Sequence, residues 1–303
     1  MKIGKKNLSA ENIIFTTLNS TFLILLSVAM VYPMLNTLAI SFNEGMDTVR
    51  GGIYLWPRIF SLQNYRVVFH MDTIYGAFII SVTKTIVIVI TNLFFTSMLA
   101  YALSRREFIF RKSITVLFVM TMYFNAGLIP NYMLIRDLNL INTFTVYWLP
   151  NIISAFNLIV IRTYIKSIPE SFIESAKMDG AREFRIFLQI VLPLCVPTLA
   201  TIALFVAVGS WNSWFDTFLY NSAKQSLSTL QYELQKLLAS AMNAGNTSAG
   251  VGAAAAQSGA GNVTTPQSIR AAITIVVAVP ILLVYPFLQR YFVNGLALGG
   301  VKG

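Results

Sequence analysis

Cysteine and histidine are almost missing from this 303-residue chain, with one of each, Cys195 and His70. An internal disulfide is therefore excluded. A zinc site needs several ligands at close spacing, and His70 has no second histidine. A Ser-His-Asp relay would have to use His70, which falls in a loop between apolar runs, so nucleophilic hydrolysis has no convincing residue set. Cys195 sits in an apolar run and reads as a small packing residue. Charge is scarce as well, at 11% of residues, where a soluble domain carries about 25%. Acidic residues are scarcest, with 12 Asp and Glu against 22 Lys and Arg. None of them falls in the core of an apolar run, which argues against an ion-coupled secondary transporter. No G-x-x-x-x-G-K-[ST] phosphate loop occurs, so the chain is not expected to hydrolyse ATP.

What is abundant is apolar sequence. Hydrophobic residues make up 56% of the chain and the mean hydropathy is +0.67. Such a chain cannot cover a water-facing surface, so we expect an all-α integral membrane protein. A span needs about 20 mostly apolar residues. Six candidates are Phe22–Ser41, Gly76–Ala102 with Lys84 inside it, Ile114–Ile135, Val146–Ile165, Phe187–Gly209 with an aromatic extension to Tyr220, and Ala271–Gln289. The basic start resembles a signal peptide. The uncharged run from Ile13 to Asn43 is too long for one and reads as a retained span.

The net charge of +10 does not point to nucleic acid, because the basic residues cluster at the ends of spans. With the N-terminus inside, the inner segments hold about twice as many Lys and Arg as the outer ones, so both termini are expected to be cytoplasmic. Residues 1–12 form an inner N-terminal segment and 13–303 a six-span domain. Within it, 168–185 is cytoplasmic and 221–268 is an outer loop. Two outer segments stand out. One carries "LWPRIFSLQNYRVVF". The other carries "ASAMNAGNTSAGVGAAAAQSGAGNVTT", an Ala/Gly/Ser-rich stretch that reads as a mobile loop or a contact surface.

One inner stretch is unusually polar: "ESAKMDGAREFRIFLQIVLP", from Glu174 to Pro193. Ser167 and Glu170 have capping-box spacing around Pro169, predicting a short helix over about Ile168–Met178. Asp179-Gly180 reads as its stop. Phe172, Ala176 and Gly180 are spaced by four, which puts Ala176 at the tip of an elbow with Glu174 and Lys177 exposed. A second helix from about Ala181 should run into the fifth span, bent at Leu192-Pro193. By spacing alone this is either a docking elbow or an amphipathic connector on the membrane surface.

The order Glu174-Ser175-Ala176, Gly180, Ile190-x-Leu192-Pro193 resembles the EAA loop of ABC-importer permeases (Glu-Ala-Ala, three residues, Gly, nine residues, Ile-x-Leu-Pro). Ser175 departs from it, small for small. "WPRIFSLQNYRVVF" and "QRYFVNGLALGGVKG" are similar to the first outer loop and the tail of carbohydrate-uptake permeases of the maltose-transporter type. "NAGLIPNYMLIRDLNLINT" and "WNSWFDTFLY" resemble the sub-branch of lipoprotein-associated permeases of Gram-positive bacteria. The resemblance implies a type I ABC importer permease fold with a coupling helix between spans four and five. It also implies a second six-span permease, two cytoplasmic ATPase subunits that hold ATP and Mg, an extracellular solute-binding lipoprotein, and a carbohydrate substrate. No cofactor or metal is implied on this chain. Glu174, Ser175, Ala176, Asp179, Gly180, Ile190, Leu192 and Pro193 are the implied coupling residues, and the terminal "GGVKG" either reaches the ATPase or frays. An ABC permease for another solute is the alternative.

Sugars need hydrogen-bonding groups beside flat apolar surfaces. Tyr123, Asn125, Asn157, Trp211, Asn212, Trp214 and Asp216 are the candidate pathway residues. Trp211 and Trp214, three apart, would share a helix face or form an outer aromatic belt. Asn92 and Asn157 would join helices by hydrogen bonds. Lys84, charged within a span, either attracts an acidic sugar such as a uronate, snorkels, or pairs with an acidic group on another helix.

Overall fold

The computed structural model describes residues 10–245 and 264–300. The basic residues at 2, 5 and 6, most of the Ala/Gly-rich stretch and the last three residues of the tail lie outside this range. The described chain is helical throughout. Its only extended pairing is an isolated bridge between Asn43 and Phe60, and the described residues form no strand.

These residues fall into two compact units, one from Ala10 to His70 with Leu237–Val276, the other Met71–Lys236 with the chain from Val277. The first unit begins with the long helix Ala10–Ser41. Its residues from Ile13 to about Leu35 are almost all exposed, so this apolar surface needs a cover outside the described chain. The polar turn that follows is organised by Asn43. Its amide reaches Asp47 at 3.1 Å, and its oxygen accepts from the backbone of Arg58 at 2.8 Å and Ile59 at 3.0 Å. Asp47 pairs with Arg58 at 2.9 Å. Asn64 extends the network, donating to Ser41 and Asn43 carbonyls and accepting from the Ser268 hydroxyl at 2.8 Å.

The second unit is built around the helix Asp72–Ser104, which packs on Ala155–Ser167 and Val196–Asn212. No proline interrupts it, so its backbone hydrogen bonds run unbroken for 33 residues. Six of its buried residues are polar, and four of them, Ser81, Lys84, Asn92 and Thr96, recur at intervals of three, eight and four. These intervals fall on one helical stripe. The helix is thus polar on its inner stripe and apolar outward, the reverse of a water-soluble helix. Nearer its C-terminal end Ala100, Tyr101 and Leu103 join Leu158, Ile161, Ile165, Ile186, Phe187 and Cys195 in an apolar core. Cys195 is a packing residue there, as expected.

Three expected spans differ from their sequence reading. Ile114–Ile135 is not continuous. It forms the helices Arg111–Tyr123 and Leu128–Asp137, separated at Phe124–Gly127, where Gly127 has φ +89°. Val146–Ile165 is a bent pair, Thr145–Asn151 and Ala155–Ser167, at 49°. The fifth is a pair, Glu183–Leu194 and Val196–Asn212, at 79°. Pro193 and Pro197 each lack the N–H that would bond four residues back, so two successive turns lose a hydrogen bond, and the chain turns at Cys195 between them. A π-helical turn, Phe187–Val191, precedes the break. Three single helices, Ile13–Ser41, Asp72–Ser104 and Pro266–Val284, are long and apolar enough to cross a bilayer. The N-terminal flank of the outer loop, which the sequence leaves open, holds the helix Leu230–Gly245.

Candidate functional site

The elbow helix is Ser171–Met178, three residues later than the spacing predicts. The capping box does not form. Ser167 belongs to the end of the preceding helix, where its hydroxyl donates to the Tyr164 carbonyl at 2.7 Å, and Glu170 caps without a side-chain bond. A serine in a last turn bonds back to its own helix more readily than forward across a proline. The stop is as read. Gly180 has φ +77°, its N–H bonds to Lys177 O and that of Ala181 to Ala176 O, both about 3 Å, which is a Schellman ending.

Ala176 is not at an exposed tip. It is buried with Ile173 in the chain's own apolar core, because residues three apart on a short helix share one face. The opposite face is outward. Glu174, Ser175 and Asp179 are exposed, and Met178, which the sequence reading passed over, is 89% exposed. Lys177 is half-buried, held between Glu183 at 2.9 Å and Glu107 at 3.1 Å. These bonds, that to Glu183 first, raise its pKa above the ordinary lysine value. Tyr101 donates to Glu183 at 2.5 Å, tying the elbow to the long helix. Ile190 and Leu192 pack half-buried on the same core, while Pro193 is exposed at the start of Leu192–Leu194.

Among the pathway candidates, Lys84, Asn157 and Asp216 come together around a polar cavity of about 540 Å³. Lys84 is fully buried. Its ammonium donates to Ser213 O at 3.2 Å, lies 3.7 Å from an Asp216 oxygen, and sits 4.7 Å above the Tyr147 ring. The Tyr147 hydroxyl donates to Leu227 O at 2.6 Å, which fixes the ring under the cation. Asp216 also accepts from the Ser213 hydroxyl at 2.5 Å. Across the cavity Asn157 donates to Asn92 at 3.1 Å, and Asn92 to Asn151 O at 2.8 Å, the interhelical bond expected. Asn151, Ser154, Ser210 and Ser213 also line it. The sequence reading missed them, although the spacing of Ser81, Lys84 and Asn92 carried the signal of a polar stripe.

The remaining candidates lie elsewhere. Trp211 and Trp214 do not share a helix face, because the helix ends at Asn212 and Trp214 follows the break. The Trp211 indole donates to Val277 O at 3.1 Å and lines a separate apolar cavity of about 400 Å³. Asn212 accepts from Gln231. Tyr123 is exposed, and Asn125 accepts from the Gly127 N–H at the break. His70 is exposed at a helix end, with Nδ1 2.8 Å from Arg66 O, and no cluster of metal-ligating residues occurs among the described residues.

Residues 92–298 match the family described as the binding-protein-dependent transport system inner membrane component. The chain is 37% identical over 97% of its length to all of the polygalacturonan/rhamnogalacturonan transport system permease protein YtcP of Bacillus subtilis (strain 168). It is 31% identical over 90% of its length to 91% of the arabinooligosaccharides transport system permease protein AraQ of Halalkalibacterium halodurans. Of solved structures, a bacterial ABC transporter involved in the import of the acidic polysaccharide alginate has a chain that aligns with a TM-score of 0.85. The identity is 29%, over 95% of this chain and all of that one. The chain therefore belongs to the binding-protein-dependent ABC transporter permeases, in their carbohydrate-uptake branch, and is a multi-pass membrane subunit whose ATPase is a separate chain.

Proposed function

We propose that the chain forms one half of the pathway of an ATP-driven oligosaccharide importer, residues 13–303 being a six-span domain with both termini cytoplasmic. The three unbroken helices, the two bent pairs and the broken Arg111–Asp137 segment supply the six crossings. A second permease of the same fold completes the pathway. Two ATPase subunits carry ATP and Mg, and an extracellular binding lipoprotein delivers the sugar. The relatives transport galacturonan-, arabinan- and alginate-type saccharides by name, which supports a carbohydrate cargo. The outer loop, 221–268, is the segment we assign to the side facing the binding protein.

The observation that carries the coupling assignment is the two-sided elbow within 168–185. Ile173 and Ala176 lock it to the apolar core while Glu174, Ser175, Met178 and Asp179 face outward. A small helix gripped from within and bare outside transmits a push as a rigid body. Glu174 is suited to a basic group on the ATPase, and Met178 to an apolar groove. Gly180 sets the turn, and Ile190, Leu192 and Pro193 carry the displacement toward the 79° bend. Because Ala176 is internal, Ala176→Arg would break the elbow itself, so Met178→Asp is the sharper test. A mild-detergent pull-down of tagged chain should recover a second permease, an ATPase and a binding lipoprotein. Met178→Asp should lose the ATPase while keeping the permease partner. Full ATPase recovery with that variant would remove the elbow from the coupling site.

A further inference from the structure

The polar cavity holds the only fully buried cation among the described residues, Lys84, and its environment leaves that cation under-satisfied. An ammonium has three donors. One reaches Ser213 O at 3.2 Å, the Tyr147 ring lies 4.7 Å away and offers no hydrogen-bond acceptor atom, and the carboxylate of Asp216 stands at 3.7 Å, beyond a good hydrogen bond. Asp216 is a third exposed and already accepts a shorter bond from Ser213. A structural ion pair in a membrane protein is expected to close to direct contact, because a buried charge without full pairing is costly. A second observation is independent of the first. The Ser210 hydroxyl is buried in the same cavity wall and has no hydrogen-bond partner, where buried polar groups nearly always have one.

We infer that this cavity is a transient subsite for the carboxylate of an acidic sugar, with Lys84 and Ser210 as donors. This rests on the sugar-importer reading and narrows it to uronate-bearing oligosaccharides. A guest carboxylate takes the donors that Asp216 leaves open, while Asn151 and Asn157, whose amides donate to Tyr147 O and Asn92, line the same cavity and bring side-chain oxygens to it as acceptors. The cavity volume of about 540 Å³ lies in the range of small-ligand sites. Asp216 has a second role here. Its negative charge beside the site repels the guest and competes for Lys84, so the sugar is held weakly enough to leave, which conduction requires. Lys84 alternates between Asp216 when the pathway is empty and the guest when it is filled.

The test uses the whole importer in proteoliposomes, with ATP inside and the binding protein outside. Trigalacturonate and trimannuronate are compared with their carboxyl-reduced neutral trimers. Wild type should take up at least one uronate trimer. Lys84→Met should lower that uptake by at least about tenfold, as loss of a buried charge partner does. Neutral uptake, normalised to the amount of assembled importer, should fall far less than uronate uptake, and Lys84→Arg should recover most of the uronate loss. Asp216→Asn should lower the half-saturating concentration for the uronate. Equal loss of charged and neutral uptake, failure of Lys84→Arg to recover, or no loss at all would each overturn the subsite. Uptake of neutral trimers alone overturns it while the sugar-importer reading stands. No ATP-dependent uptake of any trimer overturns both.

Discussion

Of the lysines that sit beside carboxylates, Lys177 and Lys84 do opposite things. Lys177, on the elbow, is a third exposed and lies within 3.1 Å of both Glu183 and Glu107. Lys84, in the cavity, is buried and stands 3.7 Å from its one carboxylate. Water makes the close contacts at the elbow cheap to rearrange, and exposed pairs contribute about 1 kcal/mol or less. Burial makes the loose contact at the cavity costly to lose and easy for a better ligand to replace. Distance alone would rank the two sites in the wrong order.

The comparison is most severely tested by removing each lysine. Lys84→Met, leaving Asp216 unpaired beside a buried wall, should destabilise the detergent-solubilised complex by about 2 kcal/mol, below the value for a fully buried pair because Asp216 is partly exposed. A lowered thermal midpoint measured by intrinsic fluorescence would report it, with Lys84→Met combined with Asp216→Asn recovering part of the loss. Gly180→Val comes next. Its φ of +77° is disfavoured for a branched side chain by about 1–2 kcal/mol, so the elbow should lose its Schellman ending and ATP-coupled uptake should fall while the partner permease is still recovered. Gly180→Asn should fall less, since asparagine tolerates that region. Lys177→Met should be the mildest, at about 0.5 kcal/mol, and its effect should shrink further in high salt. The sign of its pH dependence is fixed by its raised pKa. The protonated form is favoured in the fold, so the tie is complete at neutral pH. On the alkaline side it weakens as pH rises past the ordinary value of 10.5 through the raised one, and on the acid side only as Glu183, whose pKa is held below the ordinary 4.5, takes up its proton. A loss of elbow contacts between pH 6 and 8, followed by hydrogen exchange, would contradict it.

The elbow and the cavity also differ in how far the sequence reveals them. The elbow is local. Its stop at Asp179-Gly180 is written in adjacent residues, and Glu174 to Pro193 carry a fixed spacing. What the spacing could not give was which side faces in, since Ala176 suits a partner's groove and the chain's own core equally well. The start of the helix differs from its spacing because the Ser167 hydroxyl donates back to the Tyr164 carbonyl instead of accepting from the backbone N–H of Glu170. The cavity is assembled from three separated segments around Lys84, Asn157 and Ser213, each contributing two or three polar groups to an apolar run. Lys84 was visible as a charge out of place. Its partner was not, because Asp216 lies beyond the helix end at Asn212 that also separates Trp211 from Trp214. Proline foretold the bend between Glu183–Leu194 and Val196–Asn212, whereas the break at Phe124–Gly127 rests on one glycine that sequence alone cannot distinguish from a packing residue.

That break has a consequence for the life of the chain in the cell. On the six-span topology it leaves unwound backbone from Phe124 to Gly127, exposed on this subunit. Lipid cannot hydrogen-bond backbone amides, so such a segment survives in a bilayer only against protein or water. On the proposed pairing with a second permease, a copy made in excess would carry a standing defect that membrane proteases can recognise. Subunit stoichiometry would then be enforced by turnover, with unassembled chains short-lived and paired ones protected.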